Sequence, residues 1–199
     1  MATISAAIVK QLREKTGAGM MDCKEALTEC DGDINKSIDF LRKKGLATAL
    51  KRSGRVMSEG LIESYIHTGS KLGVLVEINC ETDFVAKNDD FIEFAKNIAM
   101  HIAAINPVGI RPEDISEETI NREREIYRAQ AIETGKPEQI IDKITEGKLQ
   151  KFYKDNCLMS QAYVRDPNIT IEDLLNSLIA KIGENITIKR FVRFQLGES

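Results

Sequence analysis

Residues 73–104 read GVLVEINCETDFVAKNDDFIEFAKNIAMHIAA, and within them the apolar period changes. From Gly73 to Cys80 the period is two. Val74, Val76, Ile78 and Cys80 share one side and Glu77 and Asn79 the other, which is the pattern of a half-buried antiparallel strand. Beyond Asn88 the period is helical, with Ile92, Ala95, Ile98, Ala99 and Ile102 as a buried stripe running to about Ala104. A strand followed by a long amphipathic helix predicts a sheet with helices against it. Between the two, Thr82 and Asp83 are capping residue types, and Asn88-Asp89-Asp90 reads as the start of the long helix. Phe84 and Val85 fall before that start, so their phase against the core is open. A Phe on such a turn is either a staple onto the core or an exposed anchor for a partner.

Working outward, Leu61 to His67 reads as a second strand, joined to the first through Thr68-Gly69-Ser70-Lys71. A third is expected from Ile186 to Leu196, where Ile186, Ile188, Val192, Phe194 and Leu196 alternate with Thr187, Lys189, Phe191, Arg193 and Gln195. Pro107 and Pro112 mark a loop. Helices are expected at about 117–133, at about 137–155 and over 171–182, the last ending at Gly183. Toward the N-terminus the pattern predicts three short helices. Ser5 caps the first, with Ile8, Val9 and Leu12 inward and Gly17 as its stop. Asp22 caps the second, with Ala26 and Leu27 inward and Gly32 at its end, and Asp33 caps the third, with Ile34, Ile38 and Leu41 inward and Gly45 as its stop. Lys51-Arg52-Ser53-Gly54-Arg55 reads as a basic linker or the tail of a fourth helix. The reading is α+β: a three-helix module over 1–55, then a core over 56–199 with a three-stranded antiparallel sheet and flanking helices.

The chain has 199 residues, of which 42% are hydrophobic and 30% charged, a globular balance. Its net charge of −3 counts against a general nucleic-acid binder. The charge is uneven: residues 1–55 carry 11 basic and 7 acidic side chains, a net +4, while residues 56–199 carry 17 and 24, a net −7. A basic head on an acidic body is either an ordinary solvated surface or a head that meets an acidic partner. No basic segment with a long apolar run opens the chain at Met1-Ala2-Thr3-Ile4-Ser5, and no window is apolar enough for a membrane span, so a cytoplasmic protein is expected. Cys23, Cys30, Cys80 and Cys157 are widely spaced, as reduced buried thiols would be, and they lack the clustering of a metal site. There is no tandem repeat or low-complexity tract.

Catalytic constellations are missing. There is no GxxxxGK[ST] loop, and Gly17-Ala18-Gly19 is followed by Met20 and Met21 rather than a lysine and a hydroxyl. His67 and His101 are the only histidines, and neither stands in a nucleophile–base pattern. The expectation is a binding protein with no cofactor and no metal, not an enzyme. In TGAGMMDCKEAL, residues 16–27, Gly17 and Gly19 permit a tight interhelical turn carrying Met20 and Met21. These methionines either plug a small core or offer an adaptable contact.

TGAGMMDCKEAL and INCETDFVAKN, residues 78–88, resemble two characteristic motifs of the translation elongation factor Ts family, in its short form. The likeness continues through GKPEQIIDKITEGKLQKFY at 135–153, LMSQAYVRDP at 158–167, KIGEN at 181–185 and the closing FVRFQLGE. The resemblance implies a ubiquitin-associated-like fold for the N-terminal module and guanine-nucleotide exchange on elongation factor Tu, with no nucleic acid or membrane involved. It implies partner contacts from Arg13, Met20, Met21 and Lys24, from Thr82, Asp83, Phe84 and Val85, and from His67, Ile182 and Gly183. The 82–85 segment would displace the magnesium ion beside bound GDP, with Phe84 as the wedge. Long members of the family carry two core halves, whereas this chain has one TDFV and one KIGEN segment. A homodimer formed through the sheet would rebuild the pair. Three other readings compete: an adaptor whose head binds a ubiquitin-like or other protein, an RNA-binding protein, and an enzyme. The second lacks an aromatic stacking array on its strands, and the third lacks a catalytic constellation.

Overall fold

The computed structural model describes residues 4–52 and 54–198, so Met1 to Thr3, Ser53 of the expected linker and Ser199 lie outside the described residues. Three helices open the chain: α1 (Ala6–Thr16), α2 (Met20–Glu29) and α3 (Ile34–Arg52). Ser5 caps α1 by accepting the Ile8 N–H, and Gly17 closes it in the left-handed conformation at φ 67°. Val9, Leu12, Cys23, Ala26 and Leu27 form their shared core, with Ile34, Ile38, Phe40 and Leu41 packed against it.

Two boundaries differ from expectation. The second helix begins at Met20 with Gly19 as its N-cap, so Met20 and Met21 lie on its first turn rather than on a loop. Asp22 sits inside that turn as the favourable charge at a helix start, not as its cap. The third helix does not stop at Gly45 but runs on to Arg52. Gly45 is buried where α3 crosses a later helix, and a Cβ there would lie 3.7 Å from the Cβ of Ala180. Gly45 thus marks a crossing with room for no more than a small side chain, not a C-terminal turn.

The core is built on a sheet of order β1-β2-β5, comprising β1 (Glu59–Ile66), β2 (Leu72–Cys80) and, last in the chain, β5 (Ile186–Gln195). Both pairings are antiparallel. Gly60, opposite Asn79, has φ 151°, and a Cβ there would meet the Ile78 carbonyl oxygen at 2.2 Å, so only glycine fits. Val74, Val76, Ile78 and Cys80 are buried against the long helix, as their alternation predicts. In β5 the alternation breaks. Glu77 faces Arg190 and the adjacent Ile78 faces Ile188, leaving Lys189 as an extra residue. Past this bulge Phe191 packs inward, whereas Val192 and Phe194 turn to the outer face with Ile62, Ile66 and Leu75.

Helix α4 (Asp83–Ala86) is a single turn after β2, and α5 (Asp89–Ile105) is the long helix, capped by Asn88 accepting the Asp90 N–H. Its buried stripe includes Phe91 and Phe94 besides Ala95, Ile98, Ala99 and Ile102, while Ile92 is only half-buried. Helices α6 (Glu117–Ile132) and α7 (Glu138–Asn156) form an antiparallel hairpin in which Arg128 pairs with Glu138 and Asp142. A two-stranded ribbon, β3 (Ala162–Tyr163) with β4 (Asp166–Thr170), adds to the three expected strands. It leads into α8 (Ile171–Ile182), capped by Thr170 and closed by Gly183 at φ 92°. Among the described residues no helix is long and apolar enough to cross a membrane. Cys23, Cys80 and Cys157 are buried and Cys30 is partly exposed, and none is disulfide-bonded.

Candidate partner-binding site

The segment after β2 resolves the alternative left open by the sequence. Val85 is buried at 9% exposure and joins the core, whereas Phe84 stands 81% exposed. Phe84 is therefore not a staple. The backbone beneath it is closely held. Thr82, extended at φ −129° and ψ 156°, caps α4 by accepting the Val85 N–H at 3.4 Å. The Cys80 thiol donates to the Thr82 carbonyl at 3.2 Å. Burial, followed by the nearby Glu184 carboxylate, pushes that thiol up to about 11. Asp83 and Lys87 form an exposed ion pair at 2.8 Å, and the ammonium holds the Asp83 carboxyl below its ordinary range.

A second loop locks the first. Glu184, just past Gly183, accepts the backbone N–H groups of Glu81 and Thr82 at 3.2 and 3.1 Å and the Thr82 hydroxyl at 2.7 Å. Glu81 in turn accepts the Asn185 N–H at 2.6 Å. Arg55 approaches both Glu81 carboxylate oxygens at 3.4 Å, and its own carbonyl accepts from the Asn185 amide at 3.4 Å. Ile182 packs against the core beside this junction, and Arg52 donates to the Ile179 carbonyl at the end of α8. The fold thus brings Ile182 and Gly183 together with the Thr82–Val85 turn. Glu81 and Glu184 were not singled out from the sequence. No periodic pattern could have linked them across 103 positions, since only the pairing of β2 with β5 does so.

Among the three N-terminal helices, Met20 and Met21 are 44% and 74% exposed, so neither plugs the core. Lys24 lies one turn on, on the same exposed face of α2, and Arg13 is exposed in the last turn of α1. His67 stands apart from the Thr82–Val85 turn. It is exposed at the hairpin, 3.0 Å from the Tyr65 hydroxyl, at the end of β2 away from Thr82. Eight residue steps along β2 separate the two ends by roughly 27 Å. No active-site geometry accompanies the other histidine. The His101 Nε2 lies 3.0 Å from Gln161 Oε1, its Nδ1 accepts the Val164 N–H at 3.3 Å, and burial lowers its pKa.

A family model described as elongation factor TS matches residues 4–198. The chain is 67% identical over 198 residues to elongation factor Ts of Desulfosudis oleivorans, covering 100% of both chains. It is 60% identical to elongation factor Ts of Caldanaerobacter subterraneus, over 98% of each chain. The corresponding protein of Desulforamulus reducens is 57% identical, over 100% of this chain and 91% of its own.

Proposed function

The chain belongs to the elongation factor Ts family, and from that premise we propose that it promotes GDP release from elongation factor Tu by carrying Phe84 to the magnesium site of the bound nucleotide. The observation that supports this reading is the pairing of an 81% exposed Phe84 with a backbone fixed on both sides. An aromatic ring that its own fold does not bury is available to a partner.

An exchange factor must bind the nucleotide-free partner more tightly than the GDP-bound one, and the coupling is reciprocal. Burying one Phe side chain contributes roughly 1.5–3 kcal/mol, which weakens GDP by only about 10- to 100-fold. Several contacts must therefore act together. Residues 1–55 would act as a head, with Arg13, Met20, Met21 and Lys24 gripping the GTPase, while residues 56–199 act as the core that inserts the Thr82–Val85 turn. Ile182 and Gly183 would extend that second contact, and His67 would belong to a separate one at the hairpin. Losing the magnesium ion removes charge neutralisation from the GDP phosphates, and the nucleotide leaves. On this reading the chain is a cytoplasmic binding protein that performs no chemical step and contacts neither nucleic acid nor membrane.

A homodimer would rebuild the two-half core of the longer family members. The outer sheet face, where Ile62, Ile66, Leu75, Val192 and Phe194 are each more than 40% exposed, supports pairing with a second copy. Light scattering would then give twice the chain mass, and a Phe194→Asp variant would be monomeric. The exchange reading is tested by release of a fluorescent GDP analogue from elongation factor Tu with a catalytic amount of this protein. Multiple-turnover acceleration supports it, and a folded protein that leaves the rate unchanged refutes it.

A further inference from the structure

Phe84 buries only about a fifth of its surface in its own fold, too little to fix its direction, and α4 at four residues is too short to hold its own shape. The orientation of the ring therefore depends on the backbone of residues 81–84. The Cys80 thiol and the Ala86 N–H hold the Thr82 carbonyl, and the N–H groups on the other side are tied by one carboxylate. Glu184 Oε2 takes the N–H groups of Glu81 and Thr82, and Oε1 takes the Thr82 hydroxyl. The same hydroxyl oxygen then accepts the Val85 N–H, so the cap of α4 is itself oriented by Glu184. The return bond from Asn185 to Glu81, and Arg55 beside Glu81, close the junction from the other side.

We propose that Glu184 is the positioning residue for Phe84: by accepting three hydrogen bonds from Glu81 and Thr82 it holds the turn with the ring projected, and so sets the rate of nucleotide release more than the affinity for the GTPase. The proposal rests on the reading of Phe84 as the wedge. Without the carboxylate, two backbone N–H groups and a hydroxyl lose their acceptor. The turn then samples other conformations, and the release rate falls by the fraction of time that Phe84 is displaced. Water replaces most of the lost acceptor at this half-buried junction, and a net loss equivalent to about one hydrogen bond is expected to slow release by about tenfold. Glu184→Gln keeps the shape and the oxygen facing the two N–H groups, and its amide can donate to the Thr82 oxygen.

The test measures release of a fluorescent GDP analogue from elongation factor Tu over a range of factor concentrations. Plateau rate and half-saturating concentration are thereby separated for wild type, Glu184→Ala, Glu184→Gln, Phe84→Ala and the Phe84/Glu184 double alanine variant. The expected result is a plateau about tenfold lower for Glu184→Ala with half-saturation nearly unchanged, and recovery of most of the rate in Glu184→Gln. The double variant should be no slower than Phe84→Ala alone, because the two residues act through one step. Multiplying losses in the double variant, or a loss confined to half-saturation, overturns the proposal. If Glu184→Ala does not fold, Thr82→Val, which removes the hydroxyl link together with the α4 cap that it orients and leaves the two backbone bonds to Glu184, is read by the same criteria. Wild type that fails to accelerate release refutes the exchange reading itself. Wild-type acceleration insensitive to Phe84→Ala refutes the wedge and the proposal together. Amide hydrogen exchange of the free protein gives a readout independent of the GTPase: Glu184→Ala should lose protection at Val85, and unchanged protection there overturns the proposal.

Discussion

Replacing Phe84 with Ala separates stability from function in a way the structure makes quantitative. Fully burying a Phe side chain is worth roughly 1.5–3 kcal/mol. With the ring 81% exposed, only about a fifth of that, about 0.3–0.6 kcal/mol, is at stake in folding. For a chain of this length the loss lowers Tm by no more than about 2 °C. The remaining four-fifths is available to the partner. If the ring becomes fully covered as nucleotide leaves, it contributes about 1.2–2.4 kcal/mol, or roughly 8- to 60-fold in the release rate. The assay is GDP-analogue release from elongation factor Tu at saturating factor, beside a titration that gives the affinity for the GDP-bound partner. The release rate should fall by that factor and the affinity should change little. Val85→Ala is the counter-case. Val85 is buried, and its truncation should cost about 1–3 kcal/mol of folding stability and several degrees of Tm. Equal losses of rate and affinity in Phe84→Ala would refute the wedge, as would a drop in Tm matching that of Val85→Ala.

Two further substitutions and conditions probe the frame behind the site. Gly45→Ala should raise stability by about 0.5–1 kcal/mol, since its Cβ would make ordinary contact with Ala180 and a helix interior favours Ala. Gly45→Leu should lower it by about 1–3 kcal/mol through overpacking at the α3–α8 crossing, and denaturant midpoints of the two variants read both signs. His101 is held neutral by burial, with Nδ1 accepting the Val164 N–H, so its folded pKa lies below the ordinary 6.5. The unfolded chain therefore takes up a proton below pH 6.5 that the folded protein refuses. Stability is fully present above that pH and is lost as pH falls toward the folded pKa. A urea midpoint falling from pH 7.5 to 5.5, with the His101 ring titrating below the ordinary 6.5, is the expected result. A ring titrating at or above 6.5 would refute it.

What the sequence made legible was whatever is encoded over short distances. The caps at Ser5, Thr82 and Asn88, the stops at Gly17 and Gly183, and the alternation of β2 all follow from residues within a turn or two of one another. Gly45 misled because a glycine after an apolar stripe signals a helix end as readily as a close crossing, and the crossing partner Ala180 lies far along the chain. The strand β5 misled for a related reason. Its even-numbered apolar residues alternate on both sides of a gap at Arg190, and the pairing with β2 inserts a bulge there that moves Phe191 inward and Val192 and Phe194 outward. A charged residue at one apolar position does not by itself reveal an extra residue, which exists only relative to the partner strand. The exposure of Phe84 was undetermined for the same cause. Whether a residue between a strand end and a helix start faces inward depends on where the neighbouring loop pins the backbone.

That dependence has a consequence for how the site is built. A side chain buried in a core is positioned by the contacts that stabilise it, so its place and its contribution to stability rise and fall together. Phe84 gains little from its own fold and must be positioned by groups other than itself. The structure supplies them as backbone hydrogen bonds to Thr82 and Glu184, with Val85 anchoring the turn from beneath. Met20 and Met21 stand in the same relation to α2: exposed on its first turn, while Cys23, Ala26 and Leu27 on the other face hold the helix down. In both places the exposed residues lie within three positions of the anchoring ones in sequence but point the opposite way. Substitutions within one turn of each other should then divide into two classes, one losing partner contact at nearly constant Tm and the other losing Tm first. A site in which exposed and buried neighbours lost both together would have its contact residues placed by the core itself, and the hydrogen-bonded turn would be incidental.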